Sequence, residues 1–164
     1  MIYQNFYLLE GEFINSLLPI DGYGASVFAE FIRIKLLEAG NSYSFETVRS
    51  HTSKVNFIEE ANKLDYKTYL YFVCTNDTII NVERVKSRVV HGGHEVNREK
   101  IVSRYYRSLE LLHAAFVASN RAFIIDNSGL DGSVIVEKNG NEISVLSDDV
   151  PSWVQRYLIE KIDN

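Results

Sequence analysis

The sequence predicts an α/β fold in which a parallel sheet is flanked by helices. Two strongly apolar runs, 67–75 (KTYLYFVCT) and 121–127 (RAFIIDN), indicate buried strands. The segments around them repeat apolar side chains at helical spacing, so strands and helices alternate from 43 to 127. Asn139 and Gly140 lie between two further β-rich runs and predict a C-terminal hairpin. At 164 residues, 46% of them hydrophobic, the chain is long enough for one domain with a real core.

The first half of the chain contains three predicted elements after a weak start. Residues 1–20 fit a strand and a short helix without a clean period, and the apolar positions that follow predict a helix ended by Gly40. The alternating segment 42–48 predicts a strand. Ser53 predicts the N-cap of a helix over 54–64. The buried positions of that helix would be Val55, Ile58, Ala61 and Leu64.

The second half continues with a strand at 67–75 that is apolar enough to be central and covered on both faces. Helices are expected at 78–91 and 97–117, with Asn97 as the N-cap of the second. The strand at 121–127 follows, and then a hairpin of 133–138 and 142–146. A last helix covers 151–162. Its inward-facing residues would be Trp153, Tyr157 and Leu158.

Composition excludes several classes of protein. The single cysteine, Cys74, rules out an internal disulfide and fits a reducing compartment. No run approaches about 18 apolar residues, and no basic start precedes the apolar N-terminal residues, so we expect neither a membrane span nor a secretory signal. The net charge of −5 argues against a dedicated nucleic-acid binder. We therefore expect a cytoplasmic protein.

A basic block within this acidic chain is the strongest chemical signal. Residues 84–107 contain seven lysines and arginines against two glutamates. Arg84 and Arg88 share one face of the first helix, and three cations lie within about 60° of one another on the second. These three are Lys100, Arg104 and Arg107. Arginine suits phosphate oxygens, so the block predicts an anionic ligand, with a solvated charged face as the alternative.

The run His91-Gly92-Gly93-His94 separates the two basic helices. Glycine readily adopts the conformation that ends a helix, so the run predicts a stop and a hinge that would let one helix close over a ligand. Zinc binding by the two histidines is not expected, because no further cysteine or histidine ligand lies near in sequence. In a parallel sheet, ligands bind beyond the carboxyl ends of the strands, which are here 46–49, 75–77 and 126–128.

Five segments, in this order and spacing, resemble the zeta-toxin-like P-loop kinases, and the resemblance covers residues 40–162. The segments are SFETV (44–48), YLYFV (69–73), RVKSRVVHGGHEV (84–96), RYYRSLELL (104–112) and RAFIIDNSG (121–129). The resemblance implies a nucleotide-kinase fold, ATP and Mg²⁺ as cofactors, and transfer of the γ-phosphoryl group to a hydroxyl of a UDP-linked amino sugar. It also implies the toxin–antitoxin context of the family.

The resemblance also implies roles for individual residues. Glu46 corresponds to the carboxylate that would hold a sugar hydroxyl or a water on magnesium, with an ordinary strand-end residue as the alternative. The basic lid helices, which would neutralise the transferring phosphoryl group, correspond to Arg84, Arg88, Arg104 and Arg107. Lys100 belongs to the same helices. His94 would bind the ligand or serve as a hinge hydrogen bond. Asp126 and Asn127 would lie near the nucleotide or cap a turn.

The chain departs most severely from the family in one motif, and it also offers no convincing match to the aspartate that activates the acceptor in the family. It contains no GxxxxGK[ST] loop, the segment that wraps the β- and γ-phosphates and supplies a lysine and a magnesium ligand. We therefore expect a single domain over 1–164 that is a truncated or degenerate kinase without its first strand, inactive in phosphoryl transfer. The alternative is a non-catalytic module that binds a nucleotide, a sugar nucleotide or a protein partner. An absent first strand would also leave a sheet edge open and favour self-association.

Overall fold

The computed structural model describes residues 8–9, 12–13 and 22–162, with side chains from residue 24 onward. The chain forms two compact units, Met1–Phe45 and Glu46–Asn164. The expectation of a single domain stays a prediction.

The first unit contains an antiparallel pair of two-residue strands and one long helix. Strand β1 (Leu8–Leu9) pairs antiparallel with β2 (Glu12–Phe13), and helix α1 spans Gly22–Glu38. Gly40 has φ 72°, and the next amide donates to the carbonyl of Leu36 at 3.1 Å. This left-handed glycine closes the helix as predicted. The predicted short helix before residue 20 lies outside the described residues.

The predicted strand at 42–48 is wrong, because residues 41–50 form neither strand nor helix. A strand needs a neighbour for its backbone groups, and no strand in the described part of the chain pairs with this segment. Its aromatic residues contact α1 instead. The Tyr43 hydroxyl donates to the carbonyl of Arg33 at 3.1 Å, and the Arg33 guanidinium lies 4.8 Å from the Phe45 ring centroid.

A four-stranded mixed sheet lies at the centre of the second unit. Its strands, in spatial order, are β3 (Tyr69–Cys74), β4 (Arg121–Asp126), β5 (Ser133–Asn139) and β6 (Glu142–Val145). Strands β3 and β4 are parallel, with Cys74 opposite Asp126, and the other two pairings are antiparallel. The α/β class is therefore confirmed, whereas the predicted parallel sheet is reduced to one parallel pair.

The predicted hairpin forms between β5 and β6, with its turn displaced by one residue. Asn139 pairs with Glu142, so the two loop residues are Gly140 and Asn141. Gly140 has φ 61°. A glycine with positive φ at the first loop position is what a type II′ turn requires.

The second unit also contains helices, most of which pack on one face of the sheet. They are α2 (Ser53–Lys63), α3 (Thr78–Val90), α4 (Arg98–Glu110), α5 (Leu112–Ala118) and a C-terminal segment of α6 (Ser152–Val154), a π-helical turn (Gln155–Ile159) and α7 (Glu160–Ile162). The helix predicted at 97–117 is thus divided at Leu111. Asn97 caps α4 as predicted, since its side chain accepts from the Glu99 amide at 2.7 Å. None of the described helices has the length and apolarity to span a bilayer.

The helix predicted at 54–64 forms, with two differences from the prediction. Val55 and Ala61 are buried, but Leu64 is 54% exposed because it lies just past the helix end. Ser53 is not the N-cap. It is the first helical residue, and its amide donates to Nδ1 of His51 at 3.2 Å.

The core lies between the helices and the face of the sheet they cover. Its largest fully buried side chains include Leu70, Ile124, Val136, Leu112, Phe116 and Leu158. On the opposite face Tyr69, Tyr71 and Val73 of β3 are more than half exposed. The prediction of a central strand covered on both faces is therefore wrong: β3 lies at one end of the strand order and is covered on one face.

Candidate functional site

The two parallel strands end side by side, and hydrogen bonds join the chain just beyond them. The Asn127 amide donates to the Cys74 carbonyl at 2.7 Å, and the Asn76 amide donates to Ser128 Oγ at 2.7 Å. Ser128 Oγ in turn donates to Asp126 Oδ1 at 2.9 Å. Residues 75–77 and 126–128 therefore lie together at one edge of the sheet, as the sequence predicts.

The start of α3 is fixed to this edge by short polar side chains. Asp77 caps the helix, its carboxylate accepting from the Ile79 amide at 2.8 Å. The Thr75 hydroxyl donates to the Asp77 carbonyl at 3.0 Å and accepts from Nδ2 of Asn81 at 2.9 Å. Because the Thr75 side chain lies in the interior and is paired on both sides, the turn from strand to helix is held in one geometry.

Two titratable groups behind this turn are held in their neutral forms. Tyr105 of α4 donates its hydroxyl to the Thr75 carbonyl at 2.8 Å, and burial raises the pKa of Tyr105 well above its usual value. Burial also raises the pKa of the Cys74 thiol to about 11. Both groups therefore stay protonated near neutral pH, and each donates to the Thr75 carbonyl, the Cys74 thiol at 3.7 Å.

The C-terminal helical segment forms the other wall of the site. Trp153 donates its indole N–H to Asp126 Oδ1 at 3.3 Å and packs at a tilt against Phe72, with ring centroids 6.0 Å apart. The π-helical turn follows directly, and such turns occur frequently at functional sites. Within it, the Arg156 guanidinium lies 5.4 Å from the ring centroid of Tyr157.

An open cleft of about 310 Å³ lies between these elements. Its lining residues are Asn76, Asp77, Thr78, Tyr105, Tyr106, Leu109, Ser152, Trp153, Arg156 and Tyr157. Aromatic rings supply its apolar surface, and an amide, a carboxylate, hydroxyls and one guanidinium supply its polar groups. The guanidinium of Arg156 makes no hydrogen bond or ion pair with any residue that the structure describes. The combination suits a ligand with a ring and an anionic group.

The structure brings some of the sequence-predicted residues to this edge. Arg84 reaches from α3 to the loop after β4, where its Nη2 donates to the Gly129 carbonyl at 3.2 Å. Asp126 accepts from both Ser128 and Trp153, and Asn127 is held through its backbone. These residues do not line the cleft. The Asp126 carboxylate caps the turn at Ser128, and the ligand-binding roles suggested for Asp126 and Asn127 stay predictions.

The other predicted residues lie away from the cleft, as far as the described part of the chain shows. They are Glu46, Arg88, His94, Lys100, Arg104 and Arg107. Glu46 is exposed in the irregular segment, because the strand that was to present it does not form. On α4 the residues that face the cleft are 105, 106 and 109, and Arg107 instead donates to the carbonyl of Ser103 on its own helix at 3.3 Å.

The glycine run between α3 and α4 ends the first helix as predicted. Gly92 has φ 87°, and the Gly93 amide donates to the Arg88 carbonyl at 2.9 Å. A Cβ on Gly93 would lie 2.7 Å from Cγ of Arg88, so this position admits only glycine without a shift. His91 makes a capping hydrogen bond, its Nδ1 lying 2.8 Å from the Ser87 carbonyl.

Most residues that line the cleft, above all Arg156 and Asn76, were not among the site residues predicted from the sequence. One signal was available for Arg156. It lies between the predicted inward positions Trp153 and Tyr157, so at about 100° per residue its side chain falls on the border of the buried face. For Asn76 only its place just after a predicted strand was informative.

Comparison with known proteins adds no relative, since no family model, curated protein or solved structure matches this chain. The resemblance to zeta-toxin-like kinases therefore stays a prediction.

Proposed function

We propose that residues 46–164 form a non-catalytic binding domain for a small phosphorylated ligand that carries a ring, of which a sugar nucleotide is the best candidate. The observation that carries the proposal is the cleft at the carboxyl edge of the parallel pair, where the Arg156 guanidinium lies among aromatic rings without a hydrogen bond or ion pair to any described residue. Ligands of α/β sheets bind at this edge. The resemblance to kinases that act on UDP-linked sugars supports the choice of ligand class.

The donor set at the cleft does not fit ATP with magnesium. The 164 residues contain no GxxxxGK[ST] loop. Among the residues that the structure describes, no group of three or more histidine, cysteine, aspartate or glutamate side chains could hold a metal ion. The carboxylate that lines the cleft, Asp77, already accepts from the Ile79 amide as a helix cap, and Asp126 behind it accepts from Ser128 and Trp153. Phosphoryl transfer depends on positioned phosphates and metal, so we propose binding without transfer for these residues.

Each wall of the cleft has a separate part in the proposed binding. Arg156 would donate to phosphate oxygens, because an arginine without an acidic partner keeps its donors for a ligand. Tyr106, which is 51% exposed, would contact the face of the ligand ring. The Asn76 side chain and the Ser152 hydroxyl are the polar groups available to ring substituents. The basic residues of α3 and α4 would attract the anion from a distance without touching it.

Calorimetric titration of the whole chain with UDP-N-acetylglucosamine, and separately with ATP, tests the proposal. Arg156→Gln should weaken sugar-nucleotide binding by about tenfold or more, since a charge-assisted hydrogen bond contributes about 1.5–3 kcal/mol. Arg107→Gln makes the same change of charge outside the cleft and should change the affinity by less than about twofold at physiological salt. Absence of binding to both ligands would remove the proposed ligand class, and equal losses in the two variants would remove the cleft as the site.

A further inference from the structure

The face of the sheet opposite the helices is apolar and open. The register of the strands places six apolar side chains on it: Tyr69, Tyr71 and Val73 of β3, Phe123 and Ile125 of β4, and Val134 of β5. The three residues of β3 are 56%, 64% and 55% exposed, and Val134 is 39% exposed. Solvated faces of sheets are normally polar, so an aromatic face of this kind marks an interaction surface.

The side chains of this open face are ordered against one another. Tyr71 stacks on Phe123, with ring centroids 5.0 Å apart and an interplanar angle of 14°. The guanidinium of Arg121 lies 5.3 Å from the Phe123 ring centroid and pairs with Glu137 at 2.6 Å. These two charges neutralise each other within the face. Although the whole chain carries a net charge of −5, this pair adds no net charge that would repel a second copy.

We propose that the open face packs against the same face of a second copy of this chain, forming a two-fold symmetric dimer of sheet against sheet. The exposed fractions of Tyr69, Tyr71, Val73 and Val134 correspond to about 400 Å² of surface per copy, since a fully exposed valine or tyrosine presents roughly 150–200 Å², and the partly exposed Phe123 and Ile125 add to it. A standard interface buries about 800 Å² per partner, of which about 57%, or about 450 Å², is apolar.

The position of β3 adds a second reason for self-association. Within the described residues its one strand neighbour is β4, so the backbone groups along its outer edge lie beside the same open face. From Thr68 to Asn76 the chain carries no charged residue, and natural proteins commonly protect exposed edges with charge or proline. Closed two-fold contacts need a self-complementary surface, and an apolar face that ends in an uncharged strand supplies one.

Sedimentation velocity of the whole chain between about 1 and 200 μM tests the dimer. We expect a reversible monomer–dimer equilibrium within that range. Tyr71→Lys should raise the dimer dissociation constant at least about tenfold, because the contact would bury an unpaired ammonium. The matched control is Val90→Lys. Val90 is 83% exposed at the end of α3, away from the sheet, so this change should leave the equilibrium as it is.

Two results would overturn the proposal: a wild-type chain that stays monomeric at 200 μM, or a dimer that Tyr71→Lys leaves unchanged. Circular dichroism and thermal melting identify a variant that fails to fold. In that case Tyr71→Thr replaces it, since threonine keeps the preference for strands while removing the ring. The threonine variant should still weaken the dimer about threefold or more, and an unchanged equilibrium would count against the open face.

Discussion

The two faces of the central sheet are built from the same strands and differ in almost every other respect. Leu70, Phe72 and Cys74 alternate with Tyr69, Tyr71 and Val73 along β3, yet the first three are at most 8% exposed and the others at least 55% exposed. The covered face forms a core with helices α2 and α5 and the C-terminal helical segment. No described residue of the second unit forms such a core with the open face.

The difference shows that strand composition alone does not decide where the core forms. Both sets of β3 residues are apolar, and the covering helices decide which of them contributes to the stability of the monomer. The covered face should therefore determine the free energy of unfolding, and the open face should determine association. Neighbouring residues on opposite faces give matched pairs that test this division.

The largest difference is expected between Phe72→Ala and Tyr71→Ala. Phe72 packs in the core against Trp153, so its removal should lower the free energy of unfolding by about 3–5 kcal/mol. Tyr71→Ala removes chiefly the stacking on Phe123, so this variant should lower the free energy of unfolding by about 1 kcal/mol. Urea unfolding at about 1 μM protein, where the monomer should prevail, measures both. Similar losses would contradict the division between the faces.

A smaller loss of unfolding free energy is expected when Lys138 is replaced. Its side chain extends across the covered face of the sheet. Its Nζ donates to the carbonyls of Phe116, Val117 and Ser119 at 2.7–2.9 Å, at the end of α5, and burial lowers the pKa of Lys138. Lys138→Met keeps the aliphatic chain but leaves these carbonyls without their donor. We expect a loss of about 2 kcal/mol in urea unfolding. Lys86→Met removes an exposed pair with Glu83 and should cost less than about 0.5 kcal/mol. Equal costs would mean that the carbonyl contacts do not matter.

Features with a local chemical cause were predictable from the sequence. The stops at Gly40 and Gly92 follow from glycine's freedom at positive φ, and the cap at Asn97 follows from its side-chain acceptor. The hairpin was predictable within one residue. The meeting of 75–77 with 126–128 followed from placing both strands in parallel.

Features that depend on distant partners were not predictable. Tyr71 looks equally suited to a core and to an open face, and the segment 42–48 alternates like a strand but has no neighbour in the sheet. The cleft combines Asn76 with Arg156, which are far apart in sequence and meet only because the C-terminal segment packs beside β3. The basic block predicted a ligand site on α3 and α4. The charge of a helix does not show which of its faces meets a ligand, so the sequence could not place the cleft.

The pH dependence of the unfolding free energy tests the difference between the two faces through the thiol of Cys74, which lies on the covered face. Its pKa is raised by burial to about 11, whereas an unfolded chain releases the proton near pH 8.5–9. The stability from the buried neutral thiol is therefore fully present below about pH 8.5 and is lost as the pH rises towards 11. Relative to Cys74→Ala, the wild-type chain should lose about 1.5 kcal/mol in unfolding free energy between pH 8 and pH 10.

The matched control moves the thiol to the open face. A Val73→Cys, Cys74→Ala double variant carries an exposed thiol, which should titrate alike in the folded and unfolded chains and give no such loss relative to Cys74→Ala. Parallel pH profiles for the wild type and Cys74→Ala would contradict the burial of the native thiol. The pKa shift at Lys138 is present in all three proteins and cancels in these differences. The pKa of Tyr105 is raised in part by Cys74, but burial is the largest cause and remains in all three proteins, so the Tyr105 hydroxyl stays protonated in each folded chain up to pH 10.

The smallest effect is expected at Glu137, which lies on the open face of the sheet. Glu137 pairs with Arg121 at 2.6 Å, but both side chains are about one-third exposed, so Glu137→Gln should cost about 0.3–0.5 kcal/mol. The guanidinium of Arg121 keeps its position over the Phe123 ring in the variant, which limits the loss. Urea unfolding at about 0.05 M and about 1 M salt should show the difference from the wild type at low salt and its disappearance at high salt. A salt-independent loss above about 1.5 kcal/mol would instead place this pair in a desolvated setting, and the open face would then contribute to the stability of the monomer as the covered face does.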